Sequence, residues 1–122
     1  MAQAQTRYLL AVYQLCEDGG AVRSVDVADF LGISRPSVAK QMKQLLEKGL
    51  IEKRYYGGIT LTPEGARQAG AAHLQFTLVR AYLQGELGLE ERTATRDAVA
   101  CVCELSPQCV ARMGERVLSA GR

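Results

Sequence analysis

The sequence has a single histidine, His73, no tryptophan, and no apolar run long enough to span a bilayer. A span needs about 18 or more apolar residues in succession, so no membrane insertion is expected. The opening residues, MAQAQTRYLL, lack a basic segment followed by a long apolar one. That argues against a secretory leader and for a cytoplasmic protein. With one histidine there is no paired His/Cys or Ser/His arrangement, and no glycine-rich phosphate loop is present. Nothing brings an acid, a base and a nucleophile together, and an enzyme is not expected. The four cysteines, Cys16, Cys101, Cys103 and Cys109, include no C-x-x-C pair. That is a poor frame for zinc, and in a cytosolic chain these thiols stay reduced. Internal repeats and low-complexity stretches are missing too.

What the chain does have is 122 residues that are nearly half apolar, with a net charge of +2. That suffices for one compact domain, or a small domain with a dimerisation extension. The most informative stretch runs from Val25 to Thr62 and reads as a helix-turn-helix followed by a two-stranded wing. A helix over Val25–Leu31 ends at Gly32. Ser34 is the N-cap of the next helix, with Pro36 in its first turn, where a missing N–H costs nothing. That helix reaches about Lys48 and stops at Gly49, in the C′ position. Leu50 to Tyr55 reads as a strand, Gly57-Gly58 as a hairpin turn, and Ile59 to Leu61 as the return strand.

The second of these helices has two faces. Val38, Ala39, Met42, Leu45 and Leu46 form the stripe expected to be buried. Pro36, Ser37, Lys40, Lys43, Gln44 and Glu47 lie opposite, flanked by Gln41 and Lys48. From Ile33 to Tyr56 there are six Lys/Arg and two Asp/Glu. This segment is therefore +4, and the rest of the chain −2. Positive charge is concentrated where a recognition helix and wing would meet phosphate. The expected DNA contacts are Ser34, Arg35, Pro36, Ser37, Lys40 and Gln41 from the helix, with Lys43, Lys53, Arg54, Tyr55 and Tyr56 as phosphate or wing contacts. Base-edge readout is expected from Arg35, Lys40 or Gln41. The plainer alternative is a solvated face on a protein-interaction module.

Elsewhere, a first helix is expected over about Gln3–Glu17, with Tyr8, Leu9, Val12, Leu15 and Cys16 as its core stripe. Leu10 breaks that pattern, falling with Arg7 and Gln14 on the far side. It is either an exposed leucine or a sign that this face meets something apolar. Ala21–Arg23 suggests a short strand beside the wing, and Ser24 a cap for the helix after it. Thr62-Pro63-Glu64 starts another helix with a threonine cap, proline at N1 and an acid at the positive dipole end. It is expected to reach about Gln84 and stop at Gly85, with Ala69, Ala72, Phe76, Val79 and Leu83 on one face. Leu87-Gly88-Leu89 reads as a turn, Glu90–Leu105 as mostly helical, and Ser106-Pro107 as a further cap. The last helix runs to about Leu118 and buries Val110, Met113, Val117 and Leu118. These helices carry more apolar residues than one winged helix can cover, which predicts a two-fold dimer. The fold class is thus mainly α: a winged helix-turn-helix over residues 1–63 and a helical dimerisation domain over 64–122. A dimer would set two recognition helices into successive major grooves of an operator in double-stranded DNA.

In order and spacing, this layout resembles the diphtheria-toxin-repressor and manganese-regulator family, in its short form without the SH3-like domain. The resemblance rests on YLLAVYQL, SVDVADFLGISRPSVAKQMKQLLEKGLI, GGITLTPEG, FTLVRAYL and ELSPQCVARMGERV. It implies a homodimeric DNA-binding repressor whose Mn2+ or Fe2+, held between the first helix and the dimerisation helices, fixes the spacing of the recognition helices. At the positions matching the family's ligands, however, this chain has Arg7, Leu10, Phe76, Val99, Val102 and Cys103. Divalent manganese or iron takes hard oxygen and imidazole donors, so no metal cofactor is expected. The nearest substitute donors are His73, Cys103 and Glu104. As a group the replacements suggest an apolar plug in place of the metal, with Leu10 and Phe76 contributing roughly 1.5–3 kcal/mol each on burial. A competing reading is a thiol, soft-metal or small-molecule sensor in the degenerate pocket. Cys101 and Cys103 point roughly 200° apart on a helix and cannot easily share a ligand, but Cys103 could meet Cys109, His73 or Cys16. Against that, small cysteines in an Ala- and Val-rich interface are ordinary packing residues, and His73 an ordinary helix-surface residue.

Overall fold

A computed structural model describes residues 2–54 and 57–120. The described residues form six helices and one two-stranded antiparallel sheet: α1 (Ala2–Glu17), α2 (Ser24–Leu31), α3 (Arg35–Glu47), β1 (Ile51–Lys53), β2 (Ile59–Leu61), α4 (Pro63–Leu87), α5 (Glu91–Glu104) and α6 (Pro107–Ala120). The architecture is mainly α with a winged helix-turn-helix, as the patterning predicts. Two compact units divide the chain, Met1–Gly70 and Ala71–Arg122. None of the described helices is long and apolar enough to cross a membrane.

In the first unit α1 packs on α2, α3 and β2, and α3 packs on α2 and β1. Tyr8, Leu9, Ala11 and Val12 of α1 share a core with Val27 and Ala28, with Val38, Met42 and Leu45, and with Leu50, Ile51 and Ile59 of the wing. The α1 stripe is broader than a simple amphipathic pattern gives, because all five residues from Tyr8 to Val12 are buried. Leu10 is one of them, at 1% exposure. Cys16, expected in the stripe, is exposed instead. It sits at the helix end, and its thiol donates to the Ile59 carbonyl of the wing at 3.9 Å.

Two members of the predicted α3 stripe also differ: Ala39 is exposed and Leu46 is 39% exposed. Val38, Met42 and Leu45 set the buried direction, and the other two lie roughly 70–90° away from it, at the stripe's edges. The α3 termini follow the sequence signals. Ser34 is extended and caps the helix, and Gly49 (φ +73°) turns the chain after Lys48. For α2 the cap passes from the expected Ser24 to its neighbours. Arg23 takes the extended cap conformation, and its N–H donates to Asp26 at 2.9 Å. The acid three residues on thus reaches back to the N–H of the capping residue itself, the return half of a capping box.

The wing is shorter than predicted. Its ladder pairs Ile51 with Leu61, Glu52 with Thr60 and Lys53 with Ile59. Arg54 leaves the ladder to close the hairpin, its N–H donating to Gly58 at 2.6 Å and its carbonyl accepting from Gly57 at 2.9 Å. Val22 adds an isolated bridge to Ile59, the short strand expected at Ala21–Arg23. Thr62 makes the join to α4. Its hydroxyl donates to the Gly49 carbonyl at 2.7 Å and accepts from Gly65 at 3.1 Å, and its N–H donates to Leu50 at 3.1 Å. The join is so close that a Cβ on Gly65 would lie 1.9 Å from the Leu50 carbonyl oxygen.

In the second unit α4 does not stop at Gly85 as expected. A single helical glycine is tolerated at about 1 kcal/mol, and the chain turns only at Gly88, with φ +69°. Phe76, Val79 and Leu83 of α4 are buried, as are Ala94, Ala98, Val99 and Cys103 of α5 and Val110 of α6. Gly114 of α6 allows a close approach to Leu78 of α4, whose Cδ1 would lie 3.2 Å from an added Cβ. Ser106 caps α6, accepting from Cys109 at 3.1 Å. Leu118, expected in the core, is 59% exposed, while Met113 and Val117 are half-buried.

Candidate nucleic-acid interface

The entry to α3 is built by Ser34 and Ser37. The Ser34 hydroxyl accepts from the Ser37 N–H at 3.4 Å and donates to the Ser37 hydroxyl at 3.0 Å. Both hydroxyls therefore fix the helix start, and a phosphate would compete with the cap for them. Arg35, Pro36, Ser37, Lys40 and Lys43 are exposed, and Gln41 is half-buried at the stripe's edge. Because Val38, Met42 and Leu45 anchor the other face, this polar face is turned outward along its whole length.

None of the side chains of Arg35, Lys40, Lys43, Lys53 and Arg54 has an ion pair or hydrogen bond among the described residues. Lys53 and Arg54 are exposed at the end of the wing strand. Lys48, by contrast, is committed. It donates to Gln5 of α1 at 3.1 Å, Gln5 donates to Gln68 at 2.8 Å, and Gln68 to Glu64 at 2.9 Å. This chain of hydrogen bonds ties the end of the recognition helix to α1 and the first turns of α4. Sequence spacing offers no signal for it, since its members lie 43 and 63 residues apart. Tyr55 and Tyr56 lie outside the described residues.

Beside the wing is a cleft of about 320 Å³ lined by Cys16, Gly20, Ala21, Arg54, Gly58, Ile59 and Thr60. Partial burial, and secondarily the Glu17 carboxylate, push the Cys16 thiol up, which keeps it protonated.

The positions matching the family's metal ligands divide between the units. Arg7 is half-buried and Leu10 buried on α1; Phe76 is buried on α4; Val99 and Cys103 are buried and Val102 half-buried on α5. These six residues supply no oxygen or imidazole donor, so they do not fit Mn2+ or Fe2+. Of the substitute donors, Glu104 is exposed and His73 is half-buried against Phe76, with ring centroids 5.7 Å apart. His73 is thus not the free surface residue its helix position suggests. Arg80, one turn after Phe76, places its guanidinium 4.8 Å from the Phe76 ring centroid and donates to Thr95 at 3.5 Å. A fixed cation therefore stands next to the family's ligand position on this helix. The i, i+4 spacing of Phe76 and Arg80 was there to be read; the Thr95 partner was not. Among the described residues no group of three His, Cys, Asp or Glu is placed to hold a metal ion.

Comparison with known proteins agrees with this geometry. Residues 1–59 match the family described as the iron dependent repressor, N-terminal DNA binding domain. The transcriptional regulator MntR of Escherichia coli O6:H1 is 37% identical over 91 residues, which are 75% of this chain and 58% of that protein. An HTH-type transcriptional regulator of Methanocaldococcus jannaschii is 28% identical over 114 residues, covering 93% of this chain and 91% of its own length. The chain thus spans a little over half of the MntR protein it matches. A solved manganese-dependent transcriptional repressor in complex with manganese superposes with a TM-score of 0.70 at 24% identity, over 93% of this chain and 52% of that one.

Proposed function

Because this chain belongs to the diphtheria-toxin-repressor and manganese-regulator family, we propose that it is a DNA-binding transcriptional repressor acting as a homodimer without the family's divalent metal. The observation that carries the reading is the α3 and wing surface. Arg35, Lys40, Lys43, Lys53 and Arg54 are exposed and have no side-chain partner among the described residues, and releasing counterions from phosphate is the strongest use for such a set. Residues 1–63 read the duplex, with Arg35, Lys40 and Gln41 toward base edges and the wing cations on phosphates. Residues 64–122 pair the subunits. The most exposed large apolar residues support that division: Leu74, Leu87, Leu105 and Leu118 lie beyond residue 70, and only the less exposed Val25 and Leu46 lie before it. Leucines left exposed in one unit favour a protein partner, and a two-fold copy is the economical one.

Metal independence follows from the ligand positions. Arg7, Leu10, Phe76, Val99 and Val102 cannot coordinate, and Cys103 alone cannot hold a hard ion. The test is one titration. Duplex DNA selected from a random pool is bound at increasing salt, with and without EDTA. Affinity is expected to fall steeply with salt and to ignore the chelator. Salt-insensitive binding would favour a protein-interaction module, and loss of binding in EDTA would restore a metal.

A further inference from the structure

Past Leu45 the recognition helix has no buried side chain until Leu50. Apolar packing therefore sets where α3 lies but not the direction of its last turn, which polar contacts have to fix. Two sets do so, and both lead to the start of α4. In the first, the C-cap residue Lys48 donates from Nζ to Gln5 Oε1 at 3.1 Å, Gln5 Nε2 donates to Gln68 Oε1 at 2.8 Å, and Gln68 Nε2 to Glu64 Oε2 at 2.9 Å. An ammonium opens this series and a carboxylate closes it. Both amides are thus held in one orientation, oxygen toward Lys48 and nitrogen toward Glu64, since turning either would set donor against donor or acceptor against acceptor. Bonds aligned in this way polarise one another. In the second set, the Gly49 carbonyl accepts from the Thr62 hydroxyl at 2.7 Å and the Leu50 carbonyl from the Thr62 N–H at 3.1 Å, with Gly65 too close to the Leu50 carbonyl for any side chain.

We propose that Gln5, Lys48 and Gln68 are positioning residues for DNA recognition: by bracing α3 on the start of α4 they fix the direction of the recognition helix, and with it the half-site spacing that the protein accepts. The inference rests on the homodimeric DNA-binding reading above. In a dimer paired through residues 64–122, α4 is the segment that leads along the chain from the pairing helices back to the reading unit, since it starts at Pro63 and ends at Leu87. Two recognition helices enter successive major grooves only when their separation and tilt match both half-sites together. The Thr62 join attaches the end of α3 to α4 at one place, and a helix attached at one place is free to swivel there. The side-chain series adds a second attachment more than a turn further along α4, at Gln68, and a third on α1. Removing the series should leave α3 folded and its cations exposed while releasing its direction. None of the three side chains has to touch DNA for this.

The test measures how well the full chain discriminates spacing. The duplexes carry a selected operator, the same two half-sites with one base pair inserted or removed between them, and a single half-site. The wild type is expected to favour the selected spacing. Gln5→Ala and Gln68→Ala should each lower the ratio of affinities for selected over altered spacing by about fivefold, equivalent to one net hydrogen bond, and leave single half-site affinity and the urea midpoint unchanged. The double variant should lose no more than either alone, because the series is already broken. A fold defect would instead weaken binding to every duplex in proportion and keep the ratio. If Lys48 contacts phosphate, Lys48→Met weakens all duplexes alike while the glutamine variants keep the wild-type ratio. Either result overturns the proposal. A wild type that binds no duplex, or ignores spacing, removes the DNA-reading dimer and the proposal with it. A wild type that discriminates, with variants that discriminate equally well, overturns the proposal alone.

Discussion

In the winged-helix unit the cations of the outward face of α3 have no side-chain partner among the described residues, whereas in the helical unit Arg80 is engaged on both sides by Phe76 and Thr95. The contrast separates two uses of positive charge. A cation kept free of carboxylates is available to displace counterions from DNA. A guanidinium stacked on a ring and bonded to a hydroxyl holds one helix against another and offers nothing to a ligand. The winged-helix unit thus keeps an outward cationic face, while the positions that match the family's metal ligands carry side chains without an oxygen or imidazole donor. A DNA-reading face tolerates much substitution as long as its core holds and its charge stays outward. A site for Mn2+ or Fe2+ requires particular hard donor atoms and tolerates far less substitution.

The largest way to strain this comparison is Phe76→Ala. Phe76 is 1% exposed and carries Arg80 on its face. Its removal should cost about 3–5 kcal/mol of stability, read as a lowered urea midpoint. A loss below about 1 kcal/mol would mean that the ring is not the anchor of this half. Next is Gly65→Ala in the reading half, where the added Cβ meets the Leu50 backbone oxygen and no side chain can yield. The expected loss is about 1–3 kcal/mol, again in the urea midpoint; an unchanged midpoint would show that the wing-to-α4 join is slack. Lys40→Ala should leave that midpoint within about 0.5 kcal/mol while weakening binding to a selected operator by about 1–3 kcal/mol if Lys40 reads a base. Equal weakening on all sequences would reassign it to phosphate.

How much of the fold and the site was legible in the sequence depended on whether the deciding partner was near along the chain. The Ser34 cap, the Gly49 stop, the Thr62-Pro63 start and the Val38–Met42–Leu45 stripe are local signals, and each is found where the pattern put it. Gly85 and Gly88 look alike as residues, yet only Gly88 takes positive φ, because the packing of α4 on its neighbours carries the helix past the first glycine. At α2 the cap position falls on Arg23, one residue before the expected Ser24, and Asp26 accepts from the Arg23 N–H. Leu10 was visible as an anomaly, and its burial resolves that question. Contacts such as Lys48 with Gln5 and Gly65 with Leu50 depend on how elements pack, and periodicity carries no information about them.

The smallest expected effect concerns the charges that the reading half does pair. Glu64 sits in the first turn of α4 and accepts from Arg67 Nε at 3.0 Å, from a second Arg67 nitrogen, and from Gln68 at 2.9 Å. These hydrogen bonds, the Arg67 one foremost, hold its carboxyl down to about 2 from the usual 4.5. A folded-state pKa below the unfolded one stabilises the fold above the unfolded value, and that stabilisation is lost as pH falls through the folded value. The contribution should therefore be complete above about 4.5, decline below it, and be gone near 2. Both partners are exposed, so solvent screening keeps the effect small. Comparing wild type with Glu64→Gln at pH 7 and near pH 2 isolates it. The midpoints should differ at neutral pH and converge in acid. A difference that persisted near pH 2 would show that the carboxylate charge was not its source.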